Sequence, residues 1–297
     1  MTAEHALQEI ARGCLAHLAR NEAAALAGRA EAIHQMRIAL RRLGTAVSAF
    51  KKMLPAVDRR WIEAELHALD AVLGRARNLD VFAGELVLPC RAALSGEAGF
   101  DALAGALERR REEAYREVEK RILSGSHKSA IARLARWFEE RGWRRPEPSV
   151  ALAAPLGEAA ARLLDRRRRE VKKRSRSFRR LSPGKRHKLR IAVKKLRYTL
   201  ELLAGLYAKD DLAGFERRLK RLQDDLGYAN DVRVGRALVA ELGADGAAAS
   251  SAAAGALVLA WHERRLEGCE ARLRKHLRRL NERKPVWRAP AAGRDAQ

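Results

Sequence analysis

Apolar residues recur at spacings of three and four along nearly the whole chain, the pattern of amphipathic helices. It predicts helices over 4–27, 30–53, 57–74, 79–92, 99–123 and 127–141, and again over about 156–181, 184–207, 209–227, 231–242 and 249–282. No run alternates β-branched residues as a strand would. Between the two sets lies Gly142-Trp143-Arg144-Arg145-Pro146-Glu147-Pro148, a cluster of helix breakers that marks a joint. The chain is therefore read as all-α, with helical units at 3–141 and 156–284, a linker at 142–155 and a disordered tail at 285–297.

Two motifs return at one offset. His34-Gln-Met-Arg37-Ile-Ala-Leu-Arg41-Arg42-Leu43 recurs 153 residues later as His187-Lys-Leu-Arg190-Ile-Ala-Val-Lys194-Lys195-Leu196. Leu73-Gly74-Arg75-Ala76-Arg77-Asn78 recurs at the same offset as Leu226-Gly227-Tyr228-Ala229-Asn230-Asp231. Two motifs sharing one offset, with no gap between them, point to a duplicated multi-helix unit.

On a helical wheel at 100° per residue, Met36, Leu40, Leu43, Val47 and Phe50 share one face of the first copy. His34, Arg37, Arg41 and Thr45 lie opposite. The second copy divides in the same way, with Leu189, Val193, Leu196, Leu200 and Leu203 against His187, Arg190, Lys194 and Tyr198. Arg42, Lys195 and Arg197 widen the basic face. A solvated helix face normally mixes charge signs to gain i,i+4 pairs, but these faces carry almost no acid before Glu201.

The charge balance sharpens this picture. The 61 Lys and Arg exceed the 37 Asp and Glu, for a net charge of +24. Residues 162–197 hold eighteen of those cations and two acids, which is +16 of that total. Within them Arg162, Arg166, Arg169, Lys173, Arg176 and Arg180 step by three and four, forming one stripe. The next helix begins at Ser182-Pro183, an N-cap and N1 pair, and then crowds Lys185, Arg186, His187, Lys188 and Arg190 into two turns. Positive charge there opposes the helix macrodipole unless an anion sits nearby. A polyanion is the partner class this implies.

The remaining motif residues read as follows. His34 and His187 lie one turn before an Arg, with no second ligand at metal spacing, so they read as hydrogen-bond donors to phosphate. The Leu-Gly of the second motif reads as a helix stop, with Asn78 or Asn230 capping the next helix. Arg75 and Arg77 are candidates for a shared basic cavity.

The pair His34-x-x-Arg37-x-x-x-Arg41-Arg42-Leu43 and His187-x-x-Arg190-x-x-x-Lys194-Lys195-Leu196-Arg197-Tyr198 resembles the CHAD family, the conserved histidine α-helical domain, over about residues 3–284. The resemblance implies two four-helix bundles related by a pseudo-twofold axis, with long helices lining a basic central groove or pore. It also implies binding of inorganic polyphosphate and, in some members, association with polyphosphate granules. The matching positions make His34, Arg37, Arg41, Arg42, His187, Arg190, Lys194, Lys195 and Arg197 the expected phosphate contacts. Arg77, Arg166, Arg169, Lys173, Arg176 and Lys185 join them from the charge pattern. Gly44 departs from the second copy, which has Arg197 there, and so predicts a weaker first copy.

Other classes find less support. Cys14, Cys90 and Cys269 are odd in number and far apart, unlike a disulfide framework or zinc knuckle. There is no phosphate loop of the Gly-x-x-x-x-Gly-Lys type, no Gly-x-Ser-x-Gly elbow and no paired Cys/His set. Glu117-Val-Glu119-Lys-Arg121 lies in a helical pattern and ends in Arg, unlike a triphosphate tunnel motif. The expectation is a non-enzyme without cofactor or metal, cytoplasmic, with no signal pattern and no membrane span. Two rival readings stay open: a nucleic-acid-binding protein with non-specific affinity, and a scaffold that docks acidic proteins. Single-strand binders use stacking aromatics, and aromatics are only 5% of this chain.

Overall fold

A computed structural model describes residues 2–94, 97–144, 155–244 and 249–288. Among these residues the architecture is all-α, with a lone bridge between Thr2 and Pro155 as the one β-type pairing. In chain order the helices are α1 (Ala3–Leu26), α2 (Ala30–Ala49), α3 (Ala56–Val81), α4 (Leu88–Ala93), α5 (Phe100–Leu123) and α6 (Gly125–Glu139). There follow α7 (Leu156–Arg174), α8 (Pro183–Leu202), α9 (Lys209–Ala244), α10 (Ala249–Glu267) and α11 (Cys269–Glu282). The first motif lies on α2 and the second copy on α8.

Every apolar wheel position of the two motif helices is buried, from Met36 to Phe50 on α2 and from Leu189 to Leu203 on α8. Each such side chain contributes about 1.5–3 kcal/mol by leaving water. The α2 helix packs between α1 and α3, and α8 between α7 and α9. These neighbourhoods meet where α2 lies on α8, α3 on α9 and α5 on α10. A single apolar cluster extends through both halves, from Ala3 to Trp287.

Local details fix these junctions. Gly28, at φ 72°, turns the chain between α1 and α2 in a backbone region that disfavours side chains. Gly99, at φ 93°, passes so close to Ser250 that a Cβ would collide with that residue's carbonyl. A π-helical turn, Phe82–Val87, joins α3 to α4 just before Pro89, which has no N–H to continue the α ladder. The buried His262 on α10 bonds the Leu86 carbonyl of that turn through Nε2 at 2.9 Å. Its Nδ1 meets the Tyr228 hydroxyl at 2.6 Å.

Several boundaries differ from the sequence reading. The second motif does not stop a helix: α3 runs on through Gly74 and Asn78, and α9 through Gly227 and Asn230. Gly74 instead makes room, since a Cβ there would stand 3.4 Å from the Arg37 guanidinium. The helix that carries the stripe, α7, ends at Arg174, short of Arg176 and Arg180, because Ser177 takes a left-handed conformation and a 3-10 turn, Phe178–Arg180, buries Phe178. The predicted helix over 249–282 divides at Gly268.

The expected linker and tail both begin inside the fold. Trp143 is buried in the turn Gly142–Arg144, where its Nε1 donates to Glu4 at 3.1 Å, and Arg144 pairs with the same carboxylate at 2.6 Å. Trp287 is buried against Phe215 and donates to Asp165 at 3.0 Å, so residues 285–288 belong to the packed body. Residues 145–154 and 289–297 lie outside the described residues.

Leu43 and Leu196 are 1% and 0% exposed on the buried faces of α2 and α8. Replacing either by Ala is expected to cost about 2–5 kcal/mol of stability, readable by urea unfolding. A cost below about 1 kcal/mol would contradict this packing.

Candidate anion-binding site

The basic faces of α2 and α8 meet across a cleft of about 760 Å³. His34, Arg37 and Arg41 line it from α2, and His187, Arg190, Lys194 and Lys195 from α8. The second motif completes the walls, with Arg77 on α3 and Asn230, Asp231 and Arg233 on α9. Seven Lys and Arg against Asp70, Glu85 and Asp231 leave the cleft strongly positive.

The acids hold the cations in place. Arg37 Nε donates to Asp70 Oδ1 at 3.0 Å and its Nη1 to the Gly74 carbonyl at 3.4 Å. Arg77 pairs with Glu85 at 3.3 Å, and Arg41 turns back onto the Arg37 carbonyl at 3.1 Å. Arg190 feels the charge of Asp231 without an ion pair to it, and the Asp231 Oδ1 accepts from Asn230 at 3.3 Å. Burial pushes the Asp231 carboxyl up, against the pull of Asn230, Arg190, Lys194 and Arg77.

Donors here remain unused. The Nδ1 atoms of His34 and His187 are buried without a partner, as is Arg190 Nε. Burial, then the charge of Arg77, pulls the His34 imidazole down, so its neutral form dominates near pH 7. Lys194 is pushed down to about 7 by burial, then by Arg190 and Arg41, while Asp231 opposes. Arg190 in turn senses Arg41, Arg233 and Arg37, so cations from both halves act on one another across the cleft. Guanidinium forks, imidazoles and a buried amine converging in this way are suited to holding oxyanions. Among the described residues no cluster of three or more His, Cys, Asp or Glu has metal-binding geometry.

The fifteen residues expected from sequence fall into three groups. His34, Arg37, Arg41, Arg77, His187, Arg190, Lys194 and Lys195 meet in this cleft. Arg166, Arg169, Lys173, Arg176 and Lys185 line a second cleft of about 710 Å³ between α7 and the start of α8. Arg166 also donates to the Ala49 carbonyl at 2.9 Å, satisfying the C-terminal end of α2, beside Arg167 on Ser48 at 3.0 Å. Arg42 and Arg197 line neither cleft. Arg42 borders a recess with Glu9, His17 and Glu201, and Arg197 donates to Glu201 at 2.7 Å. Gly44 lines the cleft whereas Arg197 does not, so the substitution between copies removes no charge from it.

Sequence reasoning missed Asp70, Glu85, Asp231 and Arg233 as cleft residues. Helical spacing could have shown part of this, since Asp70, Gly74, Arg77 and Val81 share one face once α3 is read as continuous. Arg75 turns instead into a neighbouring recess with Arg110 and Glu113.

Comparison with known proteins agrees with this architecture. The solved CHAD domain from the plant Ricinus communis matches with a TM-score of 0.80 at 25% identity, over 94% of this chain and 92% of that one. PptA from Streptomyces chartreusis shares the fold with a TM-score of 0.71 at 15% identity, over 94% of this chain and 100% of that one. No curated protein matches by sequence at a significant level. The family model described as the CHAD domain matches residues 9–240, which include both motif helices and most of α9. With that match over most of its length and both His-x-x-Arg motifs in one cleft, the chain belongs to the CHAD domain family.

Proposed function

We propose that this chain binds inorganic polyphosphate, without cleaving it, in the cleft between α2 and α8. The observation that carries the reading is the convergence of both copies of the basic motif on one cavity. A flexible chain with charge on every unit can engage Arg37 and Arg41 from one half and Arg190 and Lys194 from the other. The two His-x-x-Arg motifs and membership of the CHAD family support the same ligand. Association with polyphosphate granules is the cellular consequence of that affinity. Nucleic acid would answer the charge but not the wall chemistry, because Tyr198, itself buried, is the one aromatic lining this cleft.

Chain length enters through the second cleft. Lys195 borders the first cavity and feels the charge of Glu170 on α7, which lines the second. A long chain reaches both surfaces and gains effective concentration, whereas triphosphate reaches one.

The decisive comparison is calorimetry of triphosphate, long polyphosphate and single-stranded DNA of matched charge at one salt concentration. Long polyphosphate is expected to bind far more tightly than DNA. Arg37→Ala and Arg190→Ala should each cost about 1.5–3 kcal/mol of that affinity, and together erase most of the gap. Equal affinities for the two polymers, or a gap indifferent to both substitutions, would reject polyphosphate as the ligand.

Lys194 makes binding depend on pH. Its free value is about 7, and a bound anion favours the ammonium form and raises it. Affinity should therefore be full below about pH 7 and weaken as pH rises from there toward the bound-state value, with proton uptake in that window. Calorimetry near pH 8, in buffers of different ionisation enthalpy, should show that uptake in the native chain and lose most of it in Lys194→Arg. An unchanged proton count in Lys194→Arg would assign the titration to another group.

A further inference from the structure

A third concentration of positive charge lies away from both clefts, on α9 and α11. Arg217, Arg218 and Arg221 from α9 meet Arg279 on α11 and Arg283 just after it. The first four line a recess of about 140 Å³, at whose edge His276 also stands, and Arg283 lies beside Gly214 at its floor. Along α9 it is roughly 14 Å or more from Asp231 and the motif cleft, at 1.5 Å per residue.

The five guanidiniums have no acid among them. Arg218 donates to the Gly214 carbonyl at 2.9 Å, and no ion pair joins Arg217, Arg221, Arg279 or Arg283 to any described acid. Their neighbours on the same helices are paired in the ordinary way. Lys220 lies 3.8 Å from Asp224 and Arg278 3.9 Å from Glu282, both at i,i+4. Asp225 is already engaged by Arg272 at 2.8 Å and by His276 Nδ1 at 3.0 Å. Asp225 thus stands behind His276 at the recess edge, while the residues lining the recess include no acid. Burial, then the charges of Arg283, Arg279, Arg217 and Arg221, pull the Arg218 guanidinium down. Gly214 lines the floor, where a Cβ would make ordinary contact, at 3.6 Å, with both Arg218 Nη1 and Arg283 Nη2.

We infer that this recess is a separate binding site for a single phosphate group, held by the guanidiniums of Arg218, Arg279 and Arg221 beside His276. Guanidinium forks match the oxygens of a tetrahedral oxyanion, and the recess has less than a fifth of the volume of the motif cleft. Its ligand is therefore a free phosphate or a terminal phosphate group, not the interior of a long chain.

The test is a calorimetric titration with inorganic phosphate at constant ionic strength. It uses the full chain carrying Arg37→Ala and Arg190→Ala, so that the motif cleft does not report. Saturable one-to-one binding is expected. Adding Arg218→Gln and Arg279→Gln should weaken it by about tenfold or more, with helicity by circular dichroism unchanged. Arg218→Lys with Arg279→Lys keeps the charge but loses the forks, and should weaken it to an intermediate degree. Triphosphate as a second ligand separates a terminal phosphate group, which should also saturate this site, from free phosphate alone. Absence of saturable phosphate binding, or equal binding by the Lys variant and its parent, would overturn the inference. Long polyphosphate binding by the chain carrying only Arg218→Gln and Arg279→Gln should stay within about twofold of native, so the two sites succeed or fail separately.

Discussion

Like charges brought within a few ångströms of one another repel, and they stay together only if something rigid stands behind them. In this protein the support is the apolar face of each motif helix. Met36, Leu43 and Val47 on α2, and Leu189, Val193 and Leu196 on α8, are almost wholly buried. Their burial offsets the repulsion that the opposite faces generate. The helix geometry converts one into the other, because a residue locked into the core fixes the direction of its neighbours three and four positions away. The cleft is in this sense the reverse side of the core.

The same constraint explains the acids within the cleft. Asp70, Glu85 and Asp231 do not neutralise it; Asp70 and Glu85 each hold one arginine of the cation array, and Asp231 acts on Arg190 through its charge alone. The two halves do this differently. Arg37 has its carboxylate one helix away at Asp70, where the second copy has Gln223, whose buried Oε1 has no partner. Arg190 has no such ion pair and senses only the charge of Asp231, the counterpart of Asn78 in the first copy. The acids thus stand at different positions of the two motifs, while both motifs present cations to the cleft. The exchange of Gly44 for Arg197 follows a similar logic, since Arg197 is spent on Glu201 and adds nothing to the cavity.

Long-range polar contacts join the halves and close each of them. Arg166 and Arg167 on α7 satisfy groups at the end of α2, and His262 on α10 ties the π-helical turn after α3. Glu4 gathers Trp143 and Arg144 at the start of the chain's middle segment, and Trp287 closes the far end on Asp165. Each contact is a buried or half-buried polar group finding its partner across a long sequence separation, so none of them can be read from local pattern.

The sequence by itself determined the helical class, the apolar and basic faces of α2 and α8, and the family, because these rest on a periodicity of 3.6 residues and on motifs that repeat within single helices. Eight of the fifteen expected contacts meet in the motif cleft for that reason. Tertiary structure decided the rest. The stripe beginning at Arg162 faces a different cleft, since its helix ends at Arg174 and packs with α8 rather than α2 along its length. Leu-Gly reads locally as a stop, but α3 runs on through Gly74, which packs beneath the Arg37 guanidinium and gives it a carbonyl acceptor. Arg42 and Arg197 share the motif with true cleft residues yet point elsewhere, because one step along a helix turns a side chain by 100° and only the packing shows which step faces the partner.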